Sequence, residues 1–181
     1  SENMGFGFTL NRGINLCSNE LIIKMNAEDI MVKDRVKKQI EFMEKNPRAT
    51  ICGGQILTFD SKTKMNISRT NHKTINWVEY KDSPSSWFIN NSTICYKKSK
   101  VLEVGNYNLN LKCENNNILY DFELMLRMLK KYKKIYNLSD ILLHHRLHEN
   151  RITQLTYMGE NKNEYLDNIK KQIVAKIFKD D

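Results

Sequence analysis

Leu21, Ile22 and Ile23 form a short apolar run with two β-branched residues, the pattern of a buried strand. The other elements can be laid out around it. Upstream, Phe6, Leu10, Ile14 and Cys17 recur at helical spacing, with Asn11 and Arg12 on another face. That predicts a short amphipathic helix packed on a sheet. Downstream, Val32, Val36, Ile40 and Met43 mark a second helix, with Lys33, Lys37, Lys38 and Glu41 outward and Asn46-Pro47 as its stop. Ala49 to Phe59 reads as a strand broken by Gly53-Gly54, where a bulge or a close approach to a ligand is expected. Asp60-Ser61-Lys62 is a turn, and Met65 to Arg69 reads as a returning strand. Asn71 to Trp87 is weakly patterned and is expected to be a long loop over the site.

Ser92 to Tyr96 reads as a strand, and Lys98 to Val104 as a short helix closed by Gly105. Asn106 to Asn117 is polar and expected to be irregular. Ile118, Phe122, Met125, Leu126 and Leu129 mark a strong helix that ends in Lys130-Lys131. Ile135 to Leu138 and Ile141 to Arg146 read as two short strands. Tyr165, Leu166, Ile169, Ile173 and Ile177 mark a final amphipathic helix. The alternation of helix and strand predicts an α/β layer fold, with no internal repeat and no linker.

Composition narrows the class. At 181 residues the chain is long enough for one domain with a real core. Mean hydropathy is −0.59, and no apolar run approaches the ~20 residues of a transmembrane helix. The N-terminus lacks a charged-then-apolar signal pattern. Cys17, Cys52, Cys95 and Cys113 are far apart and read as reduced thiols, without the spacing of a zinc site or a disulfide frame. A cytoplasmic location is expected, with peripheral membrane contact left open. The net charge of +8 suits a polyanionic partner: phosphate, nucleic acid or an anionic membrane surface.

Three oxygen-bearing side chains follow the opening strand at once: Asn26, Glu28 and Asp29. A hydrophobic strand that delivers acids at its C-terminal end places them in the crevice where α/β sheets bind ligands. Hard oxygen ligands there suit Mg²⁺ or Mn²⁺ and a phosphate. The alternative is a strand, a polar turn and a helix start, with Asp29 as the cap.

The order of several local patterns resembles the family 2 glycosyltransferases of the GT-A fold, from about Asn3 to Thr153. Asn3 to Gly13 looks like the family's helix before its metal strand. Lys24-Met-Asn-Ala-Glu-Asp-Ile30 is similar to its metal motif, an aspartate-any-aspartate followed by another acid. Asp34-Arg35 with Gln39, then Glu44 to Pro47, look like the following helix. Tyr96 to Ser99 and Glu103 to Tyr107 resemble the acceptor-side segment. Tyr120 to Arg127 looks like the segment with the catalytic acid, and Arg146 to Thr153 like the late arginine and histidine motif.

The resemblance implies a GT-A-like three-layer sandwich with a mixed central sheet, lacking the usual N-terminal nucleotide-binding strands. Residues 1–157 would be the N-terminally incomplete catalytic domain and 158–181 a C-terminal helix. It implies sugar transfer from a nucleotide-sugar donor to a hydroxyl of a glycan or protein acceptor, with inversion and a divalent metal. Asn26, Glu28, Asp29 and His148 would hold Mn²⁺ or Mg²⁺. Arg146 and His148 would contact the pyrophosphate. Asp121 would be the base, with Glu123 second. His144 and His145 read as strand-end residues, and Trp87 as a sugar-stacking ring or partial core.

Two departures from the family pattern stand out. Asn26 replaces an aspartate and brings no charge, and Glu28 is one methylene longer than the usual residue, so weaker metal binding is expected. The resemblance implies a base-binding portion ahead of this segment, so the chain is expected to be either a fragment or a truncated protein, and alone to bind sugar nucleotides poorly. Two other classes remain: a non-catalytic remnant acting as a binding module, and a nucleic-acid binder suggested by Lys130, Lys131, Lys133 and Lys134. No recognition motif accompanies that lysine run, so a solvated face and no nucleic-acid partner are expected.

Overall fold

The computed structural model describes residues 4–82, 84, 87–111, 119–148 and 162–179. In chain order the elements are α1 (Phe6–Leu16), β1 (Leu21–Ile23), β2 (Ile30–Met31), α2 (Arg35–Lys45), β3 (Ile51–Asp60), β4 (Asn66–Arg69), β5 (Ile75–Asn76) and α3 (Trp77–Asp82). A 3-10 turn (Asn91–Thr93), β6 (Cys95–Lys97), α4 (Lys98–Glu103), α5 (Tyr120–Tyr132), β7 (Lys134–Leu147) and α6 (Lys162–Lys179) follow. The strands pair in the order β1-β6-β3-β7-β2, with β4 on β3 and β5 on β7. β3 and β7 run parallel and every other pair is antiparallel, so the sheet is mixed.

Alternation along the strands assigns the helices to two faces. Ile22, Ile51, Tyr96 and Ile135 belong to the larger core, with Ile14 of α1, Val101 of α4, Phe122 and Leu126 of α5 and Ile173 of α6. Their neighbours Leu21, Ile23, Cys52, Cys95 and Tyr136 belong to a smaller core, with Phe42 and Met43 of α2. A strand sends successive side chains to opposite faces, so one sheet serves two helical layers. α6 is tied to α5 by the Lys130 ammonium, which donates to the Ile177 carbonyl at 2.8 Å. Phe178 also meets Trp77 edge-on at 5.2 Å.

Four details differ from the expected layout. The 71–87 stretch is not all loop. Asn76 and Glu79 form a reciprocal cap: Asn76 Oδ1 accepts the Glu79 N–H at 2.9 Å, and the Asn76 N–H donates to Glu79 Oε2 at 3.2 Å. That cap starts α3, whose Trp77 and Tyr80 are buried. The two late strands are one. Gly53 pairs with Asn137 and Gln55 with Ile141, so β7 bulges at its polar residues instead of turning. The strand expected at Ser92 begins at Cys95, after the 3-10 turn. Finally, α2 turns Arg35, Gln39 and Met43 to the sheet, while Val36 is 39% exposed.

Gly53-Gly54 sits at a register shift, as its glycines suggest, but what comes close there is protein. A Cβ on Gly53 would meet Ile89 Cγ1 at 2.7 Å, and one on Gly54 would meet Leu142 Cδ1 at 2.5 Å. Gly105, with φ of 91°, closes α4 as expected. Cys17, Cys52 and Cys95 are free thiols. Cys113 and the segment 149–153 lie outside the described residues. Among the described residues, no helix is long and apolar enough to cross a membrane.

Candidate active site

The segment after β1 feeds two groups of side chains. On one side, the turn at Asn26–Asp29 closes with the Asp29 N–H donating to the Asn26 carbonyl at 3.2 Å. Ile30 and Met31 then pair with His144 and Leu143, which lays the turn against the end of β7. The Arg146 N–H donates to Asp29 Oδ1 at 3.1 Å, and Arg146 Nε donates to the Glu28 carbonyl at 2.9 Å. His148 Nε2 lies 3.0 Å from Glu28 Oε2. The two side chains are 26% and 38% exposed, so both reach solvent. Arg146 also lies over the Phe59 ring, 5.6 Å from its centre.

The structure therefore brings Glu28 and His148 together although 120 residues separate them. Asn26 is half-buried at the start of the same turn. The Asp29 carboxylate points inward, with its side chain 0% exposed and 3.4 Å from His145 Nδ1. Its visible work is to pin the turn to β7. His145 thus has a place in this cluster, which the reading of it as a plain strand end did not include. Among the described residues no three His, Cys, Asp or Glu side chains form a ready metal cluster. A carboxylate, an imidazole and the Asn26 amide oxygen are nonetheless a chemically suitable donor set for Mn²⁺ or Mg²⁺.

On the other side, Lys24 points from the same segment toward α5. Its Nζ is 3.4 Å from Asp121 Oδ1, with side-chain exposures of 7% and 14%. The ammonium also lies over the Phe6 ring of α1, 5.5 Å from its centre. Asn91 of the 3-10 turn donates its amide to Asp121 Oδ2. Asp121 stands in the first turn of α5, where the helix dipole favours a negative charge. Burial nevertheless pushes its carboxyl above the ordinary value, against the opposing pull of Lys24 and Asn91. Burial pushes the Lys24 ammonium down, and Asp121 opposes that.

Tyr96 and Tyr107 flank this carboxylate, and burial raises both phenols. Asn11 of α1 clamps Tyr107 in place. Its Nδ2 donates to the Tyr107 carbonyl and its Oδ1 accepts the Tyr107 N–H, both at 2.9 Å. Glu123 is occupied differently. Arg127 grips it with Nε to Oε1 at 2.8 Å and Nη2 to Oε2 at 2.6 Å. The same guanidinium donates to the Val104 and Asn106 carbonyls.

Sequence reasoning missed Lys24 and Asn91 as site residues. Lys24 had a signal, being a charge set directly after an apolar strand. Asn91 had none beyond an Asn-Asn pair. Trp87 is 37% exposed and packs edge-on against Phe122 at 5.5 Å, partly core and partly surface. The lysine run is split among separate partners. Lys130 bonds the Ile177 carbonyl, Lys131 meets Glu103 at 2.9 Å, and Lys134 covers the Tyr136 ring.

Comparison with known proteins fits this arrangement. The model of glycosyl transferase family 2 matches residues 1–102. The amylovoran biosynthesis glycosyltransferase AmsE of Erwinia amylovora is 28% identical over 145 residues, covering 78% of this chain and 50% of that protein. The Escherichia coli UDP-Gal:alpha-D-GlcNAc-diphosphoundecaprenol beta-1,3-galactosyltransferase is 26% identical over 144 residues, covering 78% and 49%. The chain thus spans about half the length of these curated relatives. The crystal structure of S. aureus TarS 1-349 superposes with a TM-score of 0.55 at 13% identity, covering 96% of this chain and 51% of that one. That likeness shows a common fold, an α/β sandwich of the GT-A type. With more than half its length matched by the family model, the chain belongs to glycosyl transferase family 2.

Proposed function

We propose that the protein to which this chain belongs transfers a sugar from a nucleotide-sugar donor to an acceptor hydroxyl, with inversion and with a divalent cation. The observation that carries the reading is the meeting of Glu28 and His148 at 3.0 Å, two residues brought together only by the fold. Glu28, His148 and the Asn26 amide oxygen would hold Mn²⁺ or Mg²⁺, and Arg146 would set a guanidinium beside the donor diphosphate. A cation bound there supplies countercharge for the departing diphosphate.

Asp121 takes the proton from the acceptor hydroxyl. Asn91 fixes one of its oxygens and Lys24 stands by the other, so the carboxylate is oriented before the acceptor arrives. Its raised affinity for protons makes it a better base than an exposed aspartate. Glu123 is disfavoured for this task, because its carboxylate is locked in a two-point ion pair with the Arg127 guanidinium, at 2.8 and 2.6 Å, a firmer hold than the 3.4 Å Lys24 contact leaves on Asp121.

The galactosyltransferase relative makes UDP-hexoses the first donors to test, with lipid-diphosphate-linked sugars as acceptors. The full-length protein is incubated with each donor, Mn²⁺ and an acceptor extract. Release of nucleoside diphosphate is followed, and the anomeric configuration of the product is read by NMR. The expected result is a product of inverted configuration, abolished by a chelator and restored by Mn²⁺. Donor binding without consumption would support a binding module instead, and retention of configuration would remove the direct-displacement role of Asp121.

A further inference from the structure

Helix α2 does something costly. At the two inward positions where an apolar stripe is the usual choice, it buries Arg35 and Gln39, both at 0% exposure. A buried guanidinium or amide costs free energy unless it is hydrogen-bonded. The bonds that offset this cost lead to both halves of the site. Arg35 Nη2 donates to the Lys24 carbonyl at 2.8 Å, and Arg35 Nε donates to Gln39 Oε1 at 2.9 Å. Gln39 Nε2 then donates to the Thr93 carbonyl at 2.7 Å.

The ends of this chain of bonds are informative. Lys24 carries the ammonium that faces Asp121, and two residues later its segment delivers Asn26. Thr93 ends the 3-10 turn whose Asn91 donates to Asp121. The Lys24 N–H is already bonded to the Ile94 carbonyl at 2.9 Å. Arg35 and Gln39 take up carbonyls of both segments, Lys24 and Thr93, so each peptide is held against rotation.

We infer that Arg35 and Gln39 are positioning residues, a buried strut that fixes the Asn26 turn and the Asp121 base relative to one another through Lys24 and Asn91. The inference rests on the roles assigned to Asn26 and Asp121 above. It treats a pair with no exposed surface as part of the catalytic geometry.

The test separates the two ends of the strut in the full-length protein. Gln39→Glu keeps the acceptor for Arg35 Nε but sets a carboxylate oxygen against the Thr93 carbonyl. It should lower kcat for sugar transfer by roughly 10–100-fold, the scale of an ångström-level misplacement. Donor KM, and Mn²⁺ affinity read by electron paramagnetic resonance, should stay within about twofold, because the metal-side bond is intact. Arg35→Lys cannot span both partners and should lower kcat and weaken Mn²⁺ binding together. Should Gln39→Glu fail to fold, Gln39→Met removes the Thr93 donor together with the acceptor of Arg35 Nε, adds no charge, and is read by the drop in kcat alone. Wild-type kcat in a folded Gln39 variant overturns the strut. So does a parallel fall in kcat, rise in KM and loss of Mn²⁺ affinity in Gln39→Glu and Arg35→Lys, which is what loosened packing alone would give. Wild-type turnover in Asp121→Asn would refute the functional reading itself. Inactivity of Asp121→Asn beside normal Gln39 variants would refute the strut alone.

Discussion

Asp121→Asn is expected to lower kcat for sugar transfer by about 10²–10⁴, the usual contribution of a positioned base. Asparagine keeps the shape of the side chain and an acceptor for Lys24 once its amide nitrogen faces Asn91, whose own amide must turn to present its oxygen. The new side chain cannot accept the proton. Donor KM should therefore hardly change, and the whole loss should appear in turnover. Glu123→Gln should be milder in turnover, since the Glu123 carboxylate is committed to a two-point ion pair with Arg127. If Asp121→Asn keeps its turnover and Glu123→Gln loses it, the base is Glu123.

The same residue sets a pH dependence. Burial raises the Asp121 carboxyl above the ordinary aspartate value, so the base stays protonated to a higher pH than an exposed aspartate would. As pH falls through that raised value, kcat/KM should decline, with the acidic limb at a higher pH than an exposed aspartate would give. Lys24 opposes the rise by favouring the charged form. Lys24→Met should therefore move the limb to still higher pH. A limb that stays in place, or moves down, would separate Lys24 from the base.

Arg127→Met is expected to cost roughly 3 kcal/mol of stability, because it leaves the Glu123 carboxylate buried without its partner. Glu123 is 7% exposed at its side chain and Arg127 21%, so solvent cannot easily replace the lost contacts. The variant also frees the Val104 and Asn106 carbonyls that follow α4. In a chain of 181 residues this corresponds to a drop in Tm of roughly 6–12 °C. Adding Glu123→Gln removes the stranded charge, so the double variant should recover a good part of the loss. Equal stability of the single and double variants would show that Glu123 is adequately solvated without Arg127. Thermal unfolding of the three proteins decides the matter.

What could be read in the sequence followed from short-range pattern. The apolar run of β1, the stop at Asn46-Pro47, the turn at Asp60 and the glycine after α4 are set by neighbouring residues, and each is present, although β1 ends the strand order and is half-buried where its run suggested a buried strand. The break at Gly53-Gly54 was also legible, though its cause was not. Ile89 and Leu142, which crowd those glycines, are far away in the chain. The α3 helix was missed although Asn76 and Glu79 spell a capping box, because only six residues follow Asn76 before the pattern fades. The α2 stripe was misjudged because periodicity ranks Val36 above Arg35. It cannot see that two backbone carbonyls wait beneath the helix for Arg35 and Gln39.

The site divided in the same way. Asn26, Glu28 and Asp29 could be singled out as a cluster because they are adjacent, and His148 only through the order of family-like segments. Their arrangement was not legible. That Asp29 turns inward to Arg146 while Glu28 turns to His148 depends on the pairing of β2 with β7. Likewise, Asn91 acquires its place beside Asp121 only once the 3-10 turn is packed against α5.

Mn²⁺ binding by the full-length protein, measured by electron paramagnetic resonance in the presence of a nucleoside diphosphate, tests the central claim most directly. The claim is that the Glu28–His148 meeting point is where the donor diphosphate and its cation sit. Glu28→Gln and His148→Ala should each weaken Mn²⁺ binding on the order of tenfold or more. Asn26→Asp, which restores a charge, should tighten it. Wild-type affinity in both Glu28→Gln and His148→Ala would contradict the account, because the pair would then be a surface contact and the cation site would lie elsewhere.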